Sequence, residues 1–138
     1  MLMHPYLDVP YNPRLEYFLG GFDIYDREES LGVQLSAYDP DCPLDRGILI
    51  SQFVVKRFGG LSYRHKFILF SMLEEALEGG SSVFSEVLQH DPLSHSLLPL
   101  GWDEMKAPKE FFKEIYIMLS KVWADDLNKA AQEDILSW

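Results

Sequence analysis

Pro108-Lys109-Glu110-Phe111-Phe112-Lys113-Glu114-Ile115-Tyr116-Ile117-Met118-Leu119-Ser120-Lys121-Val122-Trp123 carries the clearest helical period in the chain. Phe111, Phe112, Ile115, Leu119, Val122 and Trp123 fall along one face, and Leu127 continues it. Pro108 supplies a preset φ at a first-turn position whose amide would have no intrahelical acceptor. An apolar face this wide has to be covered by other elements, so the rest of the chain is read for what can cover it.

Helix punctuation recurs toward the N-terminus. Ser62 is placed to cap a helix over 63–78, where Phe67, Ile68, Phe70, Met72, Leu73 and Leu77 surround enough of the cylinder to predict a central position. Gly79-Gly80 ends it, Ser81-Ser82 starts a short helix over 83–90, and Asp91-Pro92 closes that one. Before them, Pro43 opens a helix over 43–58 with Ile48, Leu49, Phe53 and Val55 facing inward. Lys56-Arg57 lies in its dipole-favoured last turn and Gly59-Gly60 is its stop. Asn12-Pro13 reads as the start of a helix of about two turns, with Leu15, Phe18, Leu19 and Phe22 at helical spacing and Gly20-Gly21 as the stop.

Residues 23–38 are ambiguous. Phe22-Asp23-Ile24-Tyr25-Asp26 alternates like a strand, whereas Asp26 is placed to cap a helix over 27–37, the preferred reading, with Glu28 and Glu29 in its first turn. Asp39-Pro40-Asp41-Cys42-Pro43 is a turn in which Asp41 is expected to cap the following helix. Residues 1–12 form an irregular arm with Tyr6, Leu7, Val9 and Tyr11 as docking points. Residues 91–104 are loop-like but must pack Leu93, Leu97, Leu98, Leu100 and Trp102, and Ile135 and Trp138 are expected to dock the tail. The sum is an all-α fold, a compact bundle of about five to seven helices with an irregular N-terminal arm, in one domain over residues 1–138.

The chain is 47% hydrophobic and 14% aromatic, too apolar for a disordered acidic tail despite a net charge of -10. Its opening, Met1-Leu2-Met3-His4-Pro5, lacks a positive n-region, so a cytoplasmic protein is expected. No run reaches the ~20 apolar residues of a bilayer span. The candidate over 67–77 is short and contains Glu74 and Glu75. Cys42 is the single cysteine, which rules out an internal disulfide and a thiolate zinc site.

Charge is laid out in blocks. Residues 1–45 hold nine acids against Arg14 and Arg27, residues 46–73 hold five bases and no acid, and residues 74–104 hold seven acids and no base. A polyanion is held by Lys and Arg that displace its counterions, so nucleic acid is not the expected partner and a basic protein is. Asp23, Asp26, Glu28, Glu29, Asp39 and Asp41 are the candidate partner-binding residues.

Catalytic and metal chemistry find little footing. Cys42 has no neighbouring base and is expected to be a small packed residue. His90 and His95 around Asp91 are spaced i to i+5 across Pro92, which is not the one-face geometry of a helical zinc motif. His65, between Arg64 and Lys66, is expected to be exposed and without a special role. Glu28-Glu29, Glu74-Glu75 and Asp125-Asp126 are adjacent residues that point apart on a helix, so they read as solvated faces. No enzyme, metal or cofactor is expected.

Asn12-Pro13-Arg14-Leu15-Glu16-Tyr17-Phe18-Leu19-Gly20-Gly21-Phe22, followed by Tyr25-Asp26, resembles the opening of immunity proteins from bacterial contact-dependent growth inhibition systems. The resemblance covers about residues 12–26. It implies a small cytoplasmic protein that binds and neutralises the toxic domain of a cognate effector, commonly a nuclease with a basic cleft. The alternative is a helical adaptor or regulator that binds another cellular protein, or itself through the face from Phe111 to Trp123.

Overall fold

The computed structural model describes residues 1–80, 82–89 and 96–138. Within them the chain is all-α, with seven α-helices: α1 Val33–Leu35, α2 Pro43–Ile50, α3 Lys56–Phe58, α4 Tyr63–Glu78, α5 Ser82–Val87, α6 Pro108–Val122 and α7 Ala124–Ala131. A 3-10 helix, Leu15–Phe22, precedes them, and a wide turn, Glu28–Gly32, runs into α1. A π-type stretch, Ser51–Val55, joins α2 to α3 so that the three pieces run on as one rod. Among the described residues there is no strand, and Met3 and Pro10 form a lone antiparallel bridge in the N-terminal arm. No helix among them is long and apolar enough to cross a membrane.

The helix over Pro108–Val122, the clearest period in the sequence, is the hub of the fold, the central place that the sequence predicts for the helix over 63–78 instead. Phe111, Phe112, Ile115 and Leu119 are fully buried, and α6 packs against α2, α4, α5 and α7. Phe111 meets Phe22 and Trp102 with ring centroids 6.0 and 5.6 Å away, while Phe112 meets Phe84 at 5.1 Å. Each such aromatic removes a large apolar area from water, and the tilted and edge-to-face contacts favour its ring quadrupole. The same burial overturns the idea of self-association through this face, because the chain's own helices cover it. Val122 is a correction to the period: it is exposed, and the helix ends there. Trp123 leaves helical geometry, and Asp125 and Asp126 occupy the first turn of α7, where carboxylates favour a new N-terminus.

Several start and stop signals operate as their chemistry predicts. Pro43 and Pro108 sit in the first turns of α2 and α6, the Ser62 hydroxyl accepts from the His65 amide, and Gly59 and Gly79 terminate α3 and α4. Other expectations fail for reasons outside their own segment. Gly20-Gly21 is not a stop: the 3-10 helix continues to Phe22, and Gly21 lies against the Phe53 carbonyl so closely that a Cβ there would collide with it. Nor does Asn12 cap this helix, because Arg14 occupies the flanking position. The stretch is helical rather than extended, as preferred, but only over residues 28–35: Asp26 adopts φ 59° and does not cap it, Arg27 lies outside helical geometry, and residues 36 and 37 form a turn. Ile48 is exposed, with Ile50 and Val54 buried in its stead.

The helix over Tyr63–Glu78 is flanked by α6 and α7 rather than wrapped on all sides; only Lys66, Leu69 and Leu73 of it are buried. Lys66 pairs there with Asp126 at 2.9 Å, and its Nζ lies 5.7 Å from the Trp123 ring centre. The arm departs from expectation as well. Tyr6, Leu7 and Val9 are exposed, and Tyr11 makes the docking contact, its ring 4.8 Å from that of His65. Burial, and then the Tyr17 phenol, push the Tyr11 pKa up to about 12. His65 is half-buried and has a structural role, since its Nε2 meets the Met3 carbonyl at 2.7 Å and its Nδ1 meets the Ser62 hydroxyl at 2.6 Å. At the other end Trp138 docks the tail while Ile135 stays exposed.

Candidate protein-binding surface

The six candidate carboxylates all lie in the segment that runs from the end of the 3-10 helix to the start of α2, and the fold sorts them into two kinds. Asp26, Glu28 and Glu29 are exposed, and they make no hydrogen bond or ion pair among the described residues. The φ of 59° at Asp26 reverses the chain just ahead of the wide turn that holds Glu28 and Glu29. Asparagine and aspartate tolerate this left-handed conformation better than most residues.

The remaining three are engaged with backbone. Asp23 Oδ1 accepts from the Tyr25 amide at 3.0 Å and from the Leu97 amide at 2.9 Å. The Ile24 amide returns a bond to the Leu97 carbonyl at 2.7 Å, fastening the segment over 96–101 to the chain after the 3-10 helix. Asp39 Oδ1 accepts from the Asp41 amide at 2.9 Å, a local turn that leaves its side of the loop exposed. Asp41 does not cap α2, the role expected of it. Its carboxylate accepts from the Lys106 amide at 3.0 and 3.1 Å and from the Ala107 amide at 3.1 Å, and so fixes the chain just ahead of α6. Position 42 flanks α2 without a side-chain bond, and its thiol is half-buried.

The loop that carries Asp39 and Asp41 is fixed from below by Arg46. This side chain is buried, donates from Nε to the Pro40 carbonyl at 3.0 Å, and pairs with Glu114 of α6 at 3.3 Å. Sequence reasoning assigned Arg46 only to a basic block. Its role is set by groups as far as Glu114, 68 positions away, so no local signal reports it.

A groove of about 590 Å³ opens between this loop and the segment after residue 98. Glu28, Asp39 and Asp41 contribute to its lining, and no Lys, Arg or His does. Ile24, Leu35 and Trp102, all buried, form its apolar floor. Leu100 and Val33 stand at its edge, 102% and 64% exposed. Leu100 is expected from the sequence to be packed, and its exposure corrects that expectation: a Leu in a loop carries no sequence mark that separates an exposed one from a packed one.

The segment with the immunity-protein resemblance is structural. Leu15, Phe18, Leu19 and Phe22 are buried, Gly21 meets Phe53, and the ring of Phe22 lies 4.7 Å from that of Trp102. The acidic Glu74-Glu75 and Asp125-Asp126 pairs divide in the fold: Glu74 accepts from the Tyr116 hydroxyl at 2.7 Å and Asp126 pairs with Lys66, while Glu75 and Asp125 are solvated. The hydrogen bond from Tyr116 to Glu74 raises the Tyr116 pKa. Among the described residues no three metal-ligating side chains come together. The candidate loop of His90, Asp91 and His95 lies outside the described residues. No family model matches the chain, and neither a curated protein nor a solved structure matches it.

Proposed function

We propose that this chain is an immunity protein that binds the toxic, nuclease-type domain of a cognate contact-dependent growth inhibition effector and neutralises it through the acidic surface over residues 23–41. The observation that carries the reading is the exposed run of Asp26, Glu28 and Glu29, none engaged with another described residue, beside a groove whose charged lining is wholly acidic. A nuclease that grips phosphates presents Lys and Arg. Fixed carboxylates on a rigid scaffold steer such a surface into contact and speed association up to ~1000-fold over a neutral pair. The resemblance over residues 12–26 supports the same reading through the scaffold, since its residues build the core beneath the acidic segment.

The test is protection. A large secreted effector should be encoded beside this chain; cells that express its toxic domain should survive when the chain is co-expressed, and the two proteins should co-purify as a complex weakened by salt. Combining Asp26→Asn, Glu28→Gln and Glu29→Gln should leave the melting curve within about 0.5 kcal/mol of wild type and slow association about tenfold or more. Equal killing with and without the chain would end the proposal.

A further inference from the structure

The groove beside residues 33 and 100 has the construction of a protein-docking site. Pro99, Leu100, Gly101 and Trp102 form a turn in which the Trp102 amide donates to the Pro99 carbonyl at 3.1 Å, with Gly101 at φ 88° and ψ -7°. The positive φ at the third position is that of a type II turn, which favours glycine there. Pro99 and Trp102 are buried and anchor the two ends, so Leu100 is held outward at 102% exposure by a fixed frame. Val33, the first residue of α1, borders the same groove, whose lining also includes Glu28, Asp39 and Asp41 and the buried Ile24, Leu35 and Trp102. Asp41 and Asp39 accept backbone amides, but those bonds leave their negative charge in place.

We propose that this groove seats a positively charged loop of a partner protein: an Arg or Lys enters it toward Glu28 and Asp39, and an apolar neighbour of that residue covers Leu100 and Val33. The proposal rests on the acidic-surface reading above and gives it an apolar anchor. The aliphatic stem of Arg or Lys matches the floor made by Ile24, Leu35 and Trp102, and its charged end matches the carboxylates. Leu100 is preordered by its turn, so burying it loses little loop entropy on binding, which is how a small contact comes to dominate an interface. Charge selects the occupant. With a net charge of -10, a second copy of this chain would bring its own acids to an acidic groove, and a nucleic acid would bring phosphates.

Two measurements test the proposal and separate it from the immunity reading. In the first, acetyl-Arg-Leu-Arg-amide and acetyl-Glu-Leu-Glu-amide are titrated into 15N-labelled full chain. The basic peptide should shift the Gly32, Ser36 and Gly101 amides and the Trp102 indole. The shifts should weaken several-fold in salt and in the Glu28→Gln/Asp39→Asn double variant, and persist in Glu74→Gln/Glu75→Gln. Equal shifts from both peptides, or shifts confined to residues 74–78, overturn the proposal. In the second, the toxic domain of the proposed cognate effector is bound to wild type, Leu100→Asp and Glu28→Lys, each change being at an exposed site that leaves the core untouched. Both variants should weaken the complex at least about tenfold. Full affinity in both overturns the groove as the seat while the immunity reading stands; no wild-type complex ends the immunity reading, and the peptide titration still decides the groove. A concentration-dependent mass in sedimentation that vanishes in Leu100→Asp would assign the groove to a second copy and overturn the proposal.

Discussion

A methyl group added at Gly21 would strike the Phe53 carbonyl oxygen, whereas one added at Gly20 would lie 2.7 Å from the end of the Arg57 side chain. The first obstacle is backbone inside a packed rod, and the second is a flexible guanidinium that can swing away. Gly21→Ala should therefore destabilise the chain by about 1–3 kcal/mol, the usual range for overpacking, while Gly20→Ala should stay within about 1 kcal/mol of wild type. Urea unfolding of the two single variants measures both, and equal destabilisation would mean that the close approach is not what the glycine provides. Asp41 and Asp26 make a second matched pair. Asp41→Ala leaves the Lys106 and Ala107 amides without their acceptor and should cost about 1–2 kcal/mol, whereas Asp26→Asn removes a charge from a side chain with no internal bond and should cost less than about 0.5 kcal/mol. Thermal melts of both variants check this, and a stability loss in Asp26→Asn equal to that in Asp41→Ala would contradict it.

Between elements, Glu133 ties the tail to α4. It accepts from the Tyr63 hydroxyl at 2.6 Å, from Arg64 Nε at 2.9 Å and from Trp138 Nε1 at 3.1 Å. The bond from Tyr63, and then those from Arg64 and Trp138, hold its carboxyl below the ordinary glutamate range, and the same contacts raise the pKa of Tyr63 and Arg64. A depressed carboxyl pKa gives stability that is complete above the unfolded value of about 4.3 and is lost as pH falls from there through the folded value. The gap in stability between wild type and Glu133→Gln should therefore be present at pH 7 and shrink on going to about pH 3, as urea melts at the two pH values would reveal. A gap that stays constant would show that the carboxylate charge is not what Glu133 contributes. This clamp also marks the limit of what the sequence discloses. Pro43, Ser62, Gly79 and Pro108 announce helix ends because their chemistry acts within one turn, and so the all-α architecture is legible from them. The hydrogen-bond partners of the Glu133, Lys66 and Asp41 side chains lie 60 or more positions away, apart from the nearby Trp138, and no periodicity encodes such distances. The candidate surface divides along the same line. That Asp26, Glu28 and Glu29 face solvent follows from local polarity, whereas the commitment of Asp41 to α6 and the outward setting of Leu100 follow from tertiary contacts.

At the scale of the molecule, the fold changes what the charge blocks mean. Three of the five bases in residues 46–73 are spent internally: Arg46 on Glu114, Arg64 on Glu133 and Lys66 on Asp126. The alternation seen in the sequence is thus partly a set of pairings between α2 or α4 and α6, α7 and the tail; among the described residues the acids over residues 23–41 gain no ion pair from it, and of that block Arg46 reaches them, donating to the Asp41 carbonyl at 3.4 Å. A body with net charge -10 repels itself, and this repulsion acts between exposed groups that salt screens over a Debye length of about 10 Å at 0.1 M. In the Arg46 and Lys66 pairs the cation is buried and the carboxylate only partly exposed, so salt screens them less than it screens the fully exposed groups. Raising salt from near zero to about 0.2 M should therefore raise the melting temperature of the free chain, since repulsion weakens faster than the internal pairs do. The same change should weaken its complex with a basic partner, because there the screened interaction is attractive. Calorimetric melts of the free chain and titrations of the complex, run in one salt series with the toxin domain, should thus move in opposite directions. Were complex affinity to hold constant while the melting temperature climbed, the acidic surface would be governing only the free protein, and recognition would have to be assigned to uncharged contacts such as Leu100.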